Sequence, residues 1–100
     1  MNYHKTTLPN GLRIITVPMP SSESAAVTVW ANVGSRYEDD KIAGLSHFLE
    51  HMSFKGSKKY PTAKDVSTAV DSIGGEFNSS TSKEWTNFYI KASKKHLETA

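Results

Sequence analysis

His47, Glu50 and His51 stand in the order H-x-x-E-H within Gly44 to Gly56, GLSHFLEHMSFKG. On a helix, positions i, i+3 and i+4 share one face, so the three side chains fall within an arc of roughly 100°. Two imidazoles one turn apart can hold one divalent metal, with the carboxylate beside the open coordination position. This is the chemistry of metal-assisted hydrolysis, with Glu50 as the group that takes a proton from water. Leu45, Phe48, Leu49 and Met52 follow i, i+3, i+4, i+7 on the opposite side. That stripe is expected to fix the helix against a core while the polar face is offered to the metal. The alternative is a surface helix that carries His and Glu by accident. At this chain's His and Glu frequencies, such a match arises by chance in about 1% of sequences this long.

The elements that must position this face are short. Tyr3 to Leu8 and Leu12 to Val17 read as two strands joined at Pro9-Asn10-Gly11, since Asn-Gly favours a tight hairpin turn. Pro18 to Ser24 is a loop by its Pro and Ser content. Ala25 to Val33 alternates Val27, Val29, Ala31 and Val33 against Ala26, Thr28, Trp30 and Asn32, and so predicts a strand, central in its sheet. Gly34 to Lys41, GSRYEDDK, is read as a solvated loop leading into the motif helix, the alternative being that Arg36, Tyr37 and Glu38 orient groups near the metal. The helix is expected to close at Lys55-Gly56. Thr62 and Asp65 predict a capping box for a second helix whose buried stripe is Val66, Ala69, Val70 and Ile73. Gly74-Gly75 stops it. Glu76 to Ser82 reads as an edge strand and Trp85 to Ala92 as its antiparallel partner. Ser93 is expected to cap a last helix. The order β-β-β-α-α-β-β-α places the chain in the α+β class.

Composition removes several functions. The chain has 100 residues, enough for one domain at most. Its hydrophobic share of 37% and ten aromatic residues argue for a folded chain. A net charge of +2 is too mild for a nucleic-acid partner. The absence of cysteine excludes a disulfide framework and a thiolate metal site, leaving His and carboxylate as ligands. No apolar run approaches a membrane span. MNYHKTTLPNG lacks the apolar core of a signal and the arginines of a transit helix, so a cytoplasmic location is the expectation.

H-x-x-E-H is the inverzincin signature, and GLSHFLEHMSFKG resembles the M16 (pitrilysin-like) zinc peptidases, which include insulin-degrading enzyme and mitochondrial processing peptidase. The resemblance runs through nearly the whole chain. Leu8 to Ile15 is similar to the family's L-x-N-G-L-x-I-I/V opening, and Gly34 to Glu38 to its G-S-R-x-E. GGEFNSSTSKEWTNFY matches G-G-x-x-N-A-x-T-s-x-E-x-T-x-Y at Gly74, Gly75, Asn78, Thr81, Glu84, Thr86 and Tyr89. There are two departures: Ser79 stands where Ala is usual, and Tyr89 comes one residue late.

The resemblance implies the following. The fold is the N-terminal part of the catalytic domain shared with mitochondrial processing peptidase, mostly antiparallel sheet with helices packed on one face. Residues 1–100 stop before the third metal ligand. His47 and His51 bind Zn2+, and Glu50 is the catalytic base but not a ligand. The third ligand is a glutamate roughly 75 residues past His51, near about position 126. The substrate is an extended peptide or unfolded polypeptide added to the sheet edge at Glu76 to Ser80, with Asn78, Ser79 and Thr81 as substrate-binding residues. The expected partner is the remainder of an M16 chain or a second M16-like subunit. The function is then zinc-dependent endopeptidase; the alternatives are a non-catalytic M16-like subunit and a peptide-binding module.

Overall fold

Asn10-Gly11 makes the first turn. Gly11 takes φ 86°, and the Asn10 Oδ1 accepts the Leu12 N–H at 3.1 Å. In the computed structural model, which describes residues 2–100, this turn joins β1 (His4–Thr7) to β2 (Arg13–Thr16) as a two-stranded antiparallel sheet. All eight of its residues are exposed.

The second sheet holds the site. β3 (Ser24–Ala31), β4 (Glu76–Thr81) and β5 (Thr86–Ser93) pair antiparallel in the order β3-β5-β4. β5 is therefore central, and β3 is an edge rather than the central strand its apolar alternation predicts. Alternation reports which faces a strand presents, not where it stands in the sheet. Register aligns Ser79 with Phe88 and Phe88 with Val29, so Phe77, Ser79 and Thr81 share one face with Thr86, Phe88, Ile90, Val27 and Val29.

The helices lie against β4 and β5. α1 spans Leu45–Met52 and α2 spans Ala63–Asp71. α2 begins with the predicted capping box: Thr62 accepts the Asp65 N–H, and Asp65 accepts the Thr62 N–H at 2.9 Å. Its Val70 is 6% exposed, a burial that contributes roughly 1.5–3 kcal/mol. α1 is shorter than expected; after Met52 the chain winds on through tighter turns, with Lys55 N–H donating to the Met52 carbonyl at 3.0 Å. Phe54, in those turns, packs on Phe77 and Phe88 with ring centroids 5.2 and 6.1 Å away. The last helix is reduced to a single 3-10 turn at Lys94–His96, and Ser93 supplies no side-chain cap.

The expected packing of α1 is reversed. Leu45, Phe48, Leu49 and Met52 are 41, 60, 53 and 46% exposed, whereas Ser46 is buried and Glu50 partly so. The polar side of the helix lies on the sheet and the apolar stripe faces away. Two hydroxyls of β4 offer Glu50 hydrogen bonds that an apolar strand could not, and these residues contain no second apolar layer for the stripe to enter.

Candidate active site

α1 carries its site residues without a side-chain cap of its own, because Gly44 stands at the N-cap. The orphan N–H groups of its first turn go instead to Glu38, six residues earlier. One carboxylate oxygen accepts the Gly44 N–H at 2.6 Å, the other the Ser46 N–H at 2.8 Å. The Ser46 hydroxyl, together with these two N–H groups, holds the Glu38 carboxyl below the usual carboxylate value. Glu38 is delivered by a loop that is docked rather than simply solvated, as its composition suggests. Arg36 N–H donates to the Lys83 carbonyl at 2.8 Å, and the Arg36 guanidinium pairs with Glu84. Gly34 makes this docking possible, since a Cβ there would lie 2.4 Å from the Ser82 carbonyl oxygen. Tyr37 remains exposed. A signal for Glu38 did exist in the sequence: a helix opening on glycine needs an acceptor from elsewhere.

His47 and His51 meet on α1. Their Nε2 atoms are 2.9 Å apart and their ring centroids 4.6 Å. One ring donates and the other accepts, according to tautomer. Two nitrogens each about 2.0–2.1 Å from one zinc can be no more than about 4 Å apart, so this pair fits a single ion. Among the described residues no group of three His, Cys, Asp or Glu could hold a metal. Glu76 and Glu84 are engaged elsewhere, Glu76 accepting from the Tyr89 hydroxyl at 2.9 Å and Glu84 pairing with Arg36.

Glu50 faces β4. Its Oε1 accepts the Ser79 hydroxyl at 2.6 Å and its Oε2 accepts the Thr81 hydroxyl. The Ser79 and then the Thr81 hydrogen bond hold its carboxyl below the ordinary value; burial opposes them, and the neighbouring His47 and His51 add lesser lowering effects. Glu50 is therefore ionised at neutral pH. Asn78 points to the other face of the strand, with its Oδ1 accepting the Ser79 N–H at 2.8 Å. Ser79 and Thr81 thus touch Glu50 through their side chains, a role the sequence reading did not assign. His47, Glu50, Glu38, Ser79 and Thr81 line one open cleft of about 630 Å³.

The family model described as insulinase (peptidase family M16) matches residues 13–100. A zinc protease of Streptomyces coelicolor, itself uncharacterised, is 49% identical over 87 residues, which is 87% of this chain and 19% of that protein. The mitochondrial-processing peptidase subunit beta of Dictyostelium discoideum is 44% identical over 95 residues, 95% of this chain and 20% of that one. The crystal structure of a protease from Helicobacter pylori aligns with a TM-score of 0.90 and 35% identity, covering 97% of this chain and 23% of that one. The chain spans about a fifth of the length of the relatives it matches.

Proposed function

This chain belongs to the insulinase family of peptidases, M16, and from that premise we propose that residues 1–100 are the N-terminal part of the catalytic domain of a zinc endopeptidase. The observation that carries the reading is the pairing on one helix of two imidazole nitrogens 2.9 Å apart with a carboxylate held by the facing strand, His47 and Glu50 lining the same cleft. His47 and His51 would hold the zinc, and a further ligand would come from outside the described residues. A bound zinc supplies Lewis acidity, polarising a carbonyl and acidifying water. Glu50 takes the proton of the attacking water and passes it to the leaving amine. Its ionisation at neutral pH keeps it ready to accept, and the hydroxyls on its two oxygens leave lone pairs for that water.

The substrate is an extended segment of peptide or unfolded polypeptide that pairs with the open edge of β4. β4 bonds β5 on one side only, so its open edge is the substrate-binding surface in this reading. Ser79 and Thr81, two residues apart, direct their backbone groups to the same edge, and Asn78 directs its own to the opposite one. The rest of the catalytic machinery comes from the remainder of a longer chain or from a second M16-like subunit.

Glu50→Gln in the full-length protein tests the reading. The amide keeps the size of the side chain but cannot take the proton. Zinc content should be unchanged and kcat should fall by about 10² to 10⁴. Cleavage at near the parent rate would remove Glu50 as the base.

A further inference from the structure

We infer that Ser79 and Thr81 are positioning residues for Glu50, their hydroxyls fixing the orientation from which its carboxylate takes a proton. The inference rests on the reading of Glu50 as the base. Residues two apart on a strand point to the same side, so both hydroxyls reach the helix-facing side of β4. Each meets a different oxygen of Glu50, Ser79 at 2.6 Å on Oε1 and Thr81 on Oε2. Two points of attachment set the carboxylate plane, where a single one would leave it free to rotate about that bond. An unrestrained glutamate explores several rotamers, and ordering it opposes side-chain entropy that these charge-assisted bonds offset.

The donors are themselves held. Thr81 is β-branched and stiff at χ1. Its Oγ lies 3.4 Å from that of Thr86, which is 3% exposed and donates to the Val33 carbonyl at 3.1 Å. Two residues before Ser79 on the same strand face, Phe77 packs on Phe54 just past α1 and sets the distance between helix and strand. One strand therefore has two jobs in the proposed reaction. Its backbone takes the peptide, and its side chains aim the base. This arrangement ties the scissile bond and the carboxylate to the same rigid element, where a small misplacement can lower a rate about 10²-fold.

Side-chain changes at these positions should therefore act on kcat and not on KM. In the full-length protein, Ser79→Ala combined with Thr81→Val should lower kcat about 10- to 100-fold, with KM and zinc content within about twofold of the parent. Thr81→Val alone should take part of that loss, and Thr81→Ser, which restores the hydroxyl, should regain most of it. A crystal structure of the double variant should show the Glu50 carboxylate turned away from β4. Parental kcat in the double variant overturns the inference. So does equal impairment of Thr81→Val and Thr81→Ser, which would mean that the side chain matters only for packing. Glu50→Gln separates the two readings: if it is active the base assignment fails, and if it is inactive while the double variant is unimpaired only the positioning role fails.

Discussion

A carboxylate six residues ahead of a helix can act as its cap. Glu38 takes the first N–H groups of α1 and so fixes where His47 begins, without reaching the cleft's chemistry itself. Its folded-state pKa is depressed below 4.5 by the Ser46 hydroxyl and by the Ser46 and Gly44 N–H groups. The unfolded chain therefore binds the proton more readily, and stability rises with pH through this window. The contribution is fully present above about pH 4.5 and is lost as pH falls through the lowered folded value. Glu38→Gln should lower the melting midpoint at neutral pH and flatten its fall as the pH drops below about 4.5. Thermal unfolding of parent and variant across that range is the check. Superimposable curves would mean that the cap contributes nothing.

At the scale of elements, β4 is the strand on which the proposed chemistry depends. Its inner face supplies hydroxyls to Glu50, one edge pairs with β5, and the other edge is open. Neighbouring residues of a strand direct their N–H and C=O groups to opposite edges, so a peptide paired to the open edge is held at every second residue. N-methylation of successive amides of a peptide substrate should raise KM at alternate positions and leave those between within about twofold. A uniform effect along the peptide, or none at all, would place substrate binding somewhere other than this edge.

At the scale of the whole molecule, too little apolar surface is covered. A folded monomer of 11.0 kDa exposes about 5,600 Å², whereas this chain exposes 8005 Å². Val70 and Ala92 are the buried hydrophobic residues among those described, while Phe48, Leu49 and Val29 are more than half exposed. The proposed remainder of the catalytic domain would cover this surface. Residues 1–100 prepared alone should then self-associate, cleave no peptide, and bind zinc more weakly than about 1 µM, because two imidazoles supply only part of a ligand set. Sedimentation, calorimetric zinc titration and a cleavage assay on one sample test this together. A monomer with tight stoichiometric zinc and turnover would contradict it.

The local elements were legible from residues alone because local forces make them. Asn10-Gly11 sets a turn, Thr62 and Asp65 cap α2, and the aromatic run at Trp85 to Ala92 pairs with the strand before it. The spacing of His47, Glu50 and His51 likewise brings the two imidazoles together, since one helical turn suffices. What required tertiary structure was every choice between partners of equal local merit. An amphipathic helix can bury either side, and α1 lays its polar side on β4 because hydroxyls 29 and 31 residues away satisfy Glu50. An apolar alternating strand can be central or at an edge, and β3 is at an edge because β5 bonds on both sides. The Glu38 cap and the Ser79 and Thr81 contacts span loops and strands. No periodicity encodes them; they follow from which polar groups meet when the loop at Gly34 docks and α1 settles on the sheet.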